Sequence, residues 1–344
     1  MKICAQWILK LLPWLDGVST QELKSRMSVL GHNVTVTDTV WDFVPSQERN
    51  DLASAIGIAR EISAAFGKEA DIPTPEVADE DIGSIFEQVD ADVWSETVCN
   101  RITARLAIGL KSAKTPQWMK TRLSAAGICC SDTVQDIANY VALEYGQPVL
   151  LLDAKSICDG SVTLRESMGY EIADEQELSY GLPVLESGEA LLAVPHYWCS
   201  AEAAVDSSTK DILILAAHYP DDVLSLCDES FCKVDFGKDP LLTITAVERT
   251  AQLIQQLGYG RILDGALDVL NFVPNPVKLD ISKTFALCNA LSWEDFKTLL
   301  SLMGIAEDGT IPSWRTDLDT IEALQSAVSR LHRANTLTND IFSV

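Results

Sequence analysis

The chain has 344 residues, 47% hydrophobic and 22% charged, the composition of a folded protein long enough for two or three domains. Its 50 Asp+Glu outweigh 26 Lys+Arg, giving a net charge of −24. That balance argues against DNA or unaided RNA binding, where affinity comes from cations that displace counterions. No apolar run reaches the roughly 18 residues of a membrane span.

The opening MKICAQWILKLLPWL looks superficially like a signal peptide, but Gln6 and Lys10 interrupt it and no small-residue cleavage site follows. Nine cysteines contain no C-x-x-C pair, and Cys129-Cys130 are the one adjacent pair. They read as reduced thiols of a cytoplasmic protein, not a disulfide framework or zinc site.

In chain order, STQELKSRMSVLG (19–31) predicts a helix opened by a capping box, Ser19 with Glu22. Residues 69–96 hold ten acids and no Lys or Arg, and are expected to be an exposed linker with one amphipathic turn around Ile82, Ile85 and Phe86. Thr115 and Pro116 suit the start of a helix that Gly127 would close. Four apolar runs of strand length follow, at 149–153, 161–167, 190–198 and 211–217. Residues 241–257 carry apolar side chains at helical spacing up to Gly258, and GYGRIL (258–263) is a helix-ending turn, not a phosphate loop. SWEDFKTLLSLMG (292–304) then repeats residues 19–31 without a gap: Ser292 matches Ser19, Lys297 matches Lys24 and Gly304 matches Gly31. Each copy is followed by VPS or IPS, an arginine, Asp-Leu and a second helix, so one small unit is present twice. The expected divisions are an N-terminal unit (1–68), the acidic linker (69–96), a central mixed domain (97–272) and a C-terminal unit (273–344).

Nucleophile motifs are weak. No G-x-S-x-G occurs. His196 and Cys199 in PHYWC sit three apart in a strand-like run and so point to opposite faces. In IPSWRTDLDTIEALQSAVSR, Asp317, Asp319 and Glu322 are read as helix-start residues that favour the dipole, with Trp314 and Arg315 packing and pairing within the domain.

Several segments carry a family resemblance: GIAREI (57–62), TPQWMKTRLSAAGI (115–128), DIANYVALEYGQP (136–148) running into LLLD, FGKDP (236–240), and LSWEDFKTLLSLMG with IPSWRTDL. Together they resemble the N-terminal half of the phenylalanyl-tRNA synthetase β subunit. The resemblance implies an α+β fold in which two helix–turn–helix-like units flank an editing domain. In the family that domain hydrolyses tyrosine wrongly attached to the phenylalanine tRNA. The oligonucleotide-binding-fold insert of bacterial members has no room between VTVTDTVW and FVPSQERNDL, and no segment of these 344 residues resembles the catalytic-like or anticodon-binding modules. This chain alone is not expected to charge tRNA.

The implied editing pocket looks dismantled. The family's threonine–asparagine becomes Ala138-Asn139, its histidine falls on Leu150, its glycine pair on Cys199-Ser200, and its tyrosine-reading glutamate on Leu215. The degenerate pocket is therefore Asn139, Leu150, Cys199, Ser200 and Leu215, with no catalytic residue assigned. Its leucines either fill the old cavity or leave an apolar cleft. The family's magnesium site keeps Asp317, but its other acids fall on Ala323, Ser326 and Ala327, so no metal and no cofactor are expected. The expectation is a cytoplasmic, non-catalytic β-subunit-like module. Its partners would be a synthetase-like α subunit or another protein, with weak tRNA or amino-acid binding. The alternative is a free-standing hydrolase acting in trans on mischarged phenylalanine tRNA.

Overall fold

The computed structural model describes the chain except residues 46–48, 79, 94–97, 112–113, 174, 195–197, 221–222, 224–238, 272–275, 289–290 and 338–344, and the side chains of residues 93 and 176. The architecture is mixed α and β in two compact units. One comprises residues 1–73, 124–128 and 274–344, the other 74–123 and 129–273, so both ends of the chain build one unit. Among the described residues no helix is long and apolar enough to cross a membrane.

The first unit begins with β1 (Lys2–Cys4), α1 (Ala5–Leu11), α2 (Thr20–Leu30), β2 (Asn33–Val36), β3 (Val40–Val44) and α3 (Ala55–Phe66). The strands form an antiparallel sheet in the order β1-β3-β2. The start of α2 follows its sequence signature, with the Ser19 side chain accepting from the Glu22 N–H at 3.1 Å. The Ser54 hydroxyl caps α3 in the same way by accepting from Gly57 N.

The second unit contains β4 (Asp90–Val93), β5 (Arg101–Ile108), α4 (Gln117–Ala125, its last residues in the first unit), α5 (Gln135–Tyr145), β6 (Leu150–Asp153), β7 (Ser161–Glu166), β8 (Ile172–Ala173), β9 (Gln176–Glu177), β10 (Pro183–Ser187), β11 (Ala190–Val194), β12 (Trp198–Cys199), β13 (Ile212–His218), α6 (Leu242–Gln256), β14 (Arg261–Ile262) and β15 (Leu267–Leu270). One sheet runs β14-β5-β13-β6, with β15 also on β5; the other runs β12-β11-β10-β7-β4. Apolar residues of both sheets, among them Leu152, Leu164, Leu185, Leu192, Leu213 and Leu215, form the layer between them. Helix α6 packs on β5 and β13 and against α5, giving a helix layer on the first sheet. Segment 69–96 has the turn expected around Ile85, which is fully buried, but it is not otherwise an exposed linker: residues 90–93 add β4 to the second sheet, parallel to β7. In the run DADV, Asp90 and Asp92 are exposed while Ala91 packs inward, so a period-2 strand is hidden in an acidic stretch. Charge on an edge strand also discourages pairing with another chain.

The first unit is completed by α7 (Ile281–Leu287), α8 (Trp293–Leu302) and α9 (Ile321–Asn335). Helix α8 repeats the cap of α2, with the Ser292 hydroxyl accepting from Asp295 N at 3.1 Å. Helix α9 packs on α2 and α3. Buried Arg26 of α2 ties the three together: Nη1 donates to Ala65 O and Ala334 O, at the carbonyl ends of α3 and α9, where a cation complements the helix dipoles. Glu22, one turn earlier, accepts from the same guanidinium.

Candidate functional site

The run DILILAA becomes β13, buried along its whole length because it lies between β5 and β6. In its antiparallel register with β6, Leu215 stands directly opposite Leu150. Paired residues share a face, so both leucines point into the layer between the sheets. Leu215 is 1% exposed there, and Leu150 is half-buried against the same cluster. Cys199, paired with Ala193 on β12, packs on that cluster too. Burial pushes its thiol up to about 11, so it stays protonated at neutral pH and is no activated nucleophile. His196 lies outside the described residues.

The two polar candidates are engaged elsewhere. Ser200 is buried; its N–H donates to Leu192 O at 2.8 Å and its hydroxyl accepts from Ala203 N at 3.2 Å, closing a turn after β12. Asn139 lies half-buried on α5, where its side-chain oxygen accepts from Gln135 one turn earlier at 3.5 Å. Leu150, Leu215 and Cys199 are thus brought together with apolar neighbours, while Asn139 belongs to the helix layer. A positioned water for ester hydrolysis needs a base and oxyanion donors, and this group of three side chains offers neither.

Two features had only faint sequence signals. Tyr140 donates to Glu144 at 2.6 Å and accepts from Arg122 at 2.7 Å, and Arg249 of α6 forks onto Glu144 at 2.7 and 3.2 Å. This network fastens α5 to α6. Fully buried Gln147 donates from Nε2 to Pro148 O and Ala217 O, leaving Oε1 without a partner among the described residues. A buried polar side chain placed just before an apolar strand, in GQP, was its only signal.

The first unit holds a buried ionic network that the sequence showed only as scattered charges. Arg49 forks onto Asp51 (2.8 and 2.9 Å) and donates from Nη2 to Glu61 Oε2 at 2.7 Å. His32 Nε2 lies 3.1 Å from the other Glu61 oxygen. Burial opposes ionisation of Glu61, but the Arg49 charge and the hydrogen bonds from His32 and Arg49 outweigh it and hold the carboxyl well below the usual range. Arg315 forks onto Asp317 at 2.7 and 2.8 Å, and Asp317 lies 3.8 Å from Arg49. Asp317 is therefore a fork partner upstream of α9 and not a helix-start residue. The cap is Thr320, which accepts from Ala323 N at 3.2 Å, and Glu322 sits in the first turn. The indole of Trp314 packs under Arg60, whose guanidinium carbon is 4.3 Å from the ring centroid. Between these groups and α9 lies a cavity of about 400 Å³. Among the described residues no three His, Cys, Asp or Glu side chains converge to hold a metal ion.

Residues 98–259, the bulk of the two-sheet unit, match the B3/4 domain family. The chain is 29% identical over 323 residues to a phenylalanine–tRNA ligase β subunit from Salinibacter ruber, covering 88% of this chain and 39% of that protein. It is 28% identical over 341 residues to the β subunit from Thermotoga maritima, covering 92% of this chain and 43% of that protein. A solved N-terminal fragment of the phenylalanyl-tRNA synthetase β-subunit from Pyrococcus horikoshii aligns over 97% of this chain and 99% of the fragment, at 15% identity and a TM-score of 0.47. The chain spans about two fifths of the length of the two bacterial relatives. Along most of its length the chain is similar to the N-terminal part of the phenylalanyl-tRNA synthetase β subunit, and its central residues 98–259 match the B3/4 domain family.

Proposed function

We propose that this chain is a non-catalytic paralogue of the synthetase β subunit, a cytoplasmic module that retains the editing scaffold and serves to bind a protein partner. The observation that carries this reading is the Leu150–Leu215 pair. The positions that resemblance assigns to a histidine and a glutamate are leucines facing each other across β6 and β13 in the layer between the sheets. The paired helix–strand–helix segments at the two ends of the chain are read as helix–turn–helix-like units in a structural role. The chain's net charge of −24 disfavours DNA and favours a basic protein partner, such as a synthetase-like α subunit, with any tRNA held jointly with that partner.

A surface of the second unit supports a basic protein partner. Residues 167–173 and 175–182 extend the β7–β10 pair, held by Ser167 N to Leu182 O (2.7 Å) and Leu178 N to Glu171 O (2.8 Å). Met168, Tyr170 and Ile172, at alternate positions, are 54, 70 and 62% exposed. Met168 and Tyr170 lie in the turn before β8 and Ile172 begins that strand, and exposed apolar side chains grouped in this way mark an interaction surface. The turn beneath is fixed by Glu171, which accepts from Arg165, Ser167 Oγ and the N–H groups of Met168 and Tyr170. Burial opposes ionisation of Glu171, but these donors bring it down to about 2. Between residues 161 and 190 the sequence has seven acids against one arginine, a local negative excess that favours a partner surface rich in Lys and Arg.

The filled pocket is tested by calorimetric titration of the protein with free L-tyrosine and L-phenylalanine. No saturable heat is expected up to millimolar amino acid. Saturable binding that is retained in Arg330→Gln, and so does not arise at the separate cavity of the first unit, would replace the filled pocket with an apolar amino-acid site.

A further inference from the structure

The ionic network of the first unit follows the internal repeat, and the repeat is broken at one place. Carried forward from Arg49 and Asp51 onto Arg315 and Asp317 without a gap, Leu52 falls on Leu318, Ser54 on Thr320 and Gly57 on Ala323. The structure keeps each correspondence. Both arginines fork onto the aspartate two residues on, both leucines are buried, and Ser54 and Thr320 cap their helices onto the matching N–H groups. Continued along α3 and α9, the same register sets Glu61 against Ala327. Arg49 thus donates to two carboxylates, Asp51 and Glu61, and also lies 3.8 Å from Asp317, whereas among the described residues Arg315 donates to Asp317 alone.

The place of the missing carboxylate is the cavity of about 400 Å³. Its wall includes Ala323, Ser326 and Ala327 on one face of α9, with Arg315, Asp317 and Arg330 beside them. Arg330 makes one long bond, Nη1 to Leu30 O at 3.4 Å, and no ion pair among the described residues. The surrounding charges nearly cancel, since Glu61 also lines the space, so a general positive potential does not define the site. The imbalance is in hydrogen bonding: the carboxylates of Glu61 and Asp317 are already engaged by Arg49, His32 and Arg315, while the guanidinium of Arg330 is almost unspent.

We propose that this cavity binds the carboxylate of a small organic acid, which takes on Arg315 and Arg330 the part that Glu61 plays on Arg49. The apolar remainder of such a ligand meets Leu30, Met303 and Leu331. The site lies wholly within the first unit and is independent of the editing-like pocket.

The test is thermal unfolding of the whole chain at fixed ionic strength, with sodium acetate or propionate replacing sodium chloride, and inorganic phosphate as a separate arm. At carboxylate concentrations near ten times Kd the midpoint should rise by about 2–4 °C and approach saturation. Arg330→Gln should abolish the rise. Ala327→Glu, which supplies the carboxylate from the chain itself, should raise the midpoint without acetate and remove the response to it. The proposal fails if acetate acts no more strongly than chloride or if the response persists in Arg330→Gln. Stabilisation by phosphate alone would overturn the carboxylate assignment in favour of a phosphoryl ligand. If Ala327→Glu does not fold, Arg330→Gln still decides.

Discussion

Glu61→Ala is expected to cost about 3 kcal/mol of stability, enough to lower the midpoint of the first unit by roughly 10 °C. Glu61 is buried between two donors, Arg49 at 2.7 Å and His32 at 3.1 Å. Removing it takes from Arg49 one of its two hydrogen-bonded carboxylates and from His32 Nε2 its carboxylate partner. The variant Glu61→Gln separates charge from shape. A carboxyl held low in the folded protein contributes stability that is fully present above its unfolded value of about 4.3 and is lost as pH falls toward the folded value. The gap between wild type and Glu61→Gln should therefore be widest at pH 6–7 and shrink steadily from pH 4.5 to 3. Denaturant unfolding at four pH values checks this, and a gap that does not change with pH would refute the charge assignment.

Leu215→Glu, which restores the residue that resemblance places there, is expected to damage the second unit without restoring chemistry. The side chain is 1% exposed in the layer between the sheets, opposite Leu150. A lone carboxyl there is driven to its neutral form, and with the lost leucine packing the cost at pH 7 is about 5 kcal/mol. Here the folded pKa is raised, so the penalty relative to wild type should ease below pH 5 and deepen as pH rises. Leu215→Met, nearly equal in volume, should cost less than about 1.5 kcal/mol. If Leu215→Glu folds with wild-type stability at pH 7, the site is an open, hydrated pocket and not a packed layer.

How legible the protein was in its sequence varied by element. The helices over 19–31, 241–257 and 292–304 and the run at 211–217 were readable because caps and period lie within a few residues. Strand β4 was missed because Asp90 and Asp92 made it look like part of an acidic linker, and only the parallel neighbour β7 makes a strand of it. The roles of Asp317 and Glu61 were not readable either. Arg49–Glu61 spans 12 residues, and Arg49–Asp317 joins the two ends of the chain; a local pattern cannot reveal pairings of that range. The repeat did contain the clue, because it aligned the two Arg-x-Asp segments before any contact was known. The candidate pocket divided similarly. Leu150 and Leu215 were placed by resemblance, and their pairing became visible with the sheet register. Nothing in the local sequence showed that the Ser200 hydroxyl is used in a turn.

The measurement that goes most directly to the central claim is a deacylation time course. Micromolar protein is mixed with phenylalanine-specific tRNA carrying tyrosine, with the same tRNA carrying phenylalanine as control. A pocket closed by Leu150 and Leu215 should leave tyrosine release at the spontaneous rate. Release well above that rate, for tyrosine and not for phenylalanine, would contradict the non-catalytic reading and establish a trans-editing hydrolase.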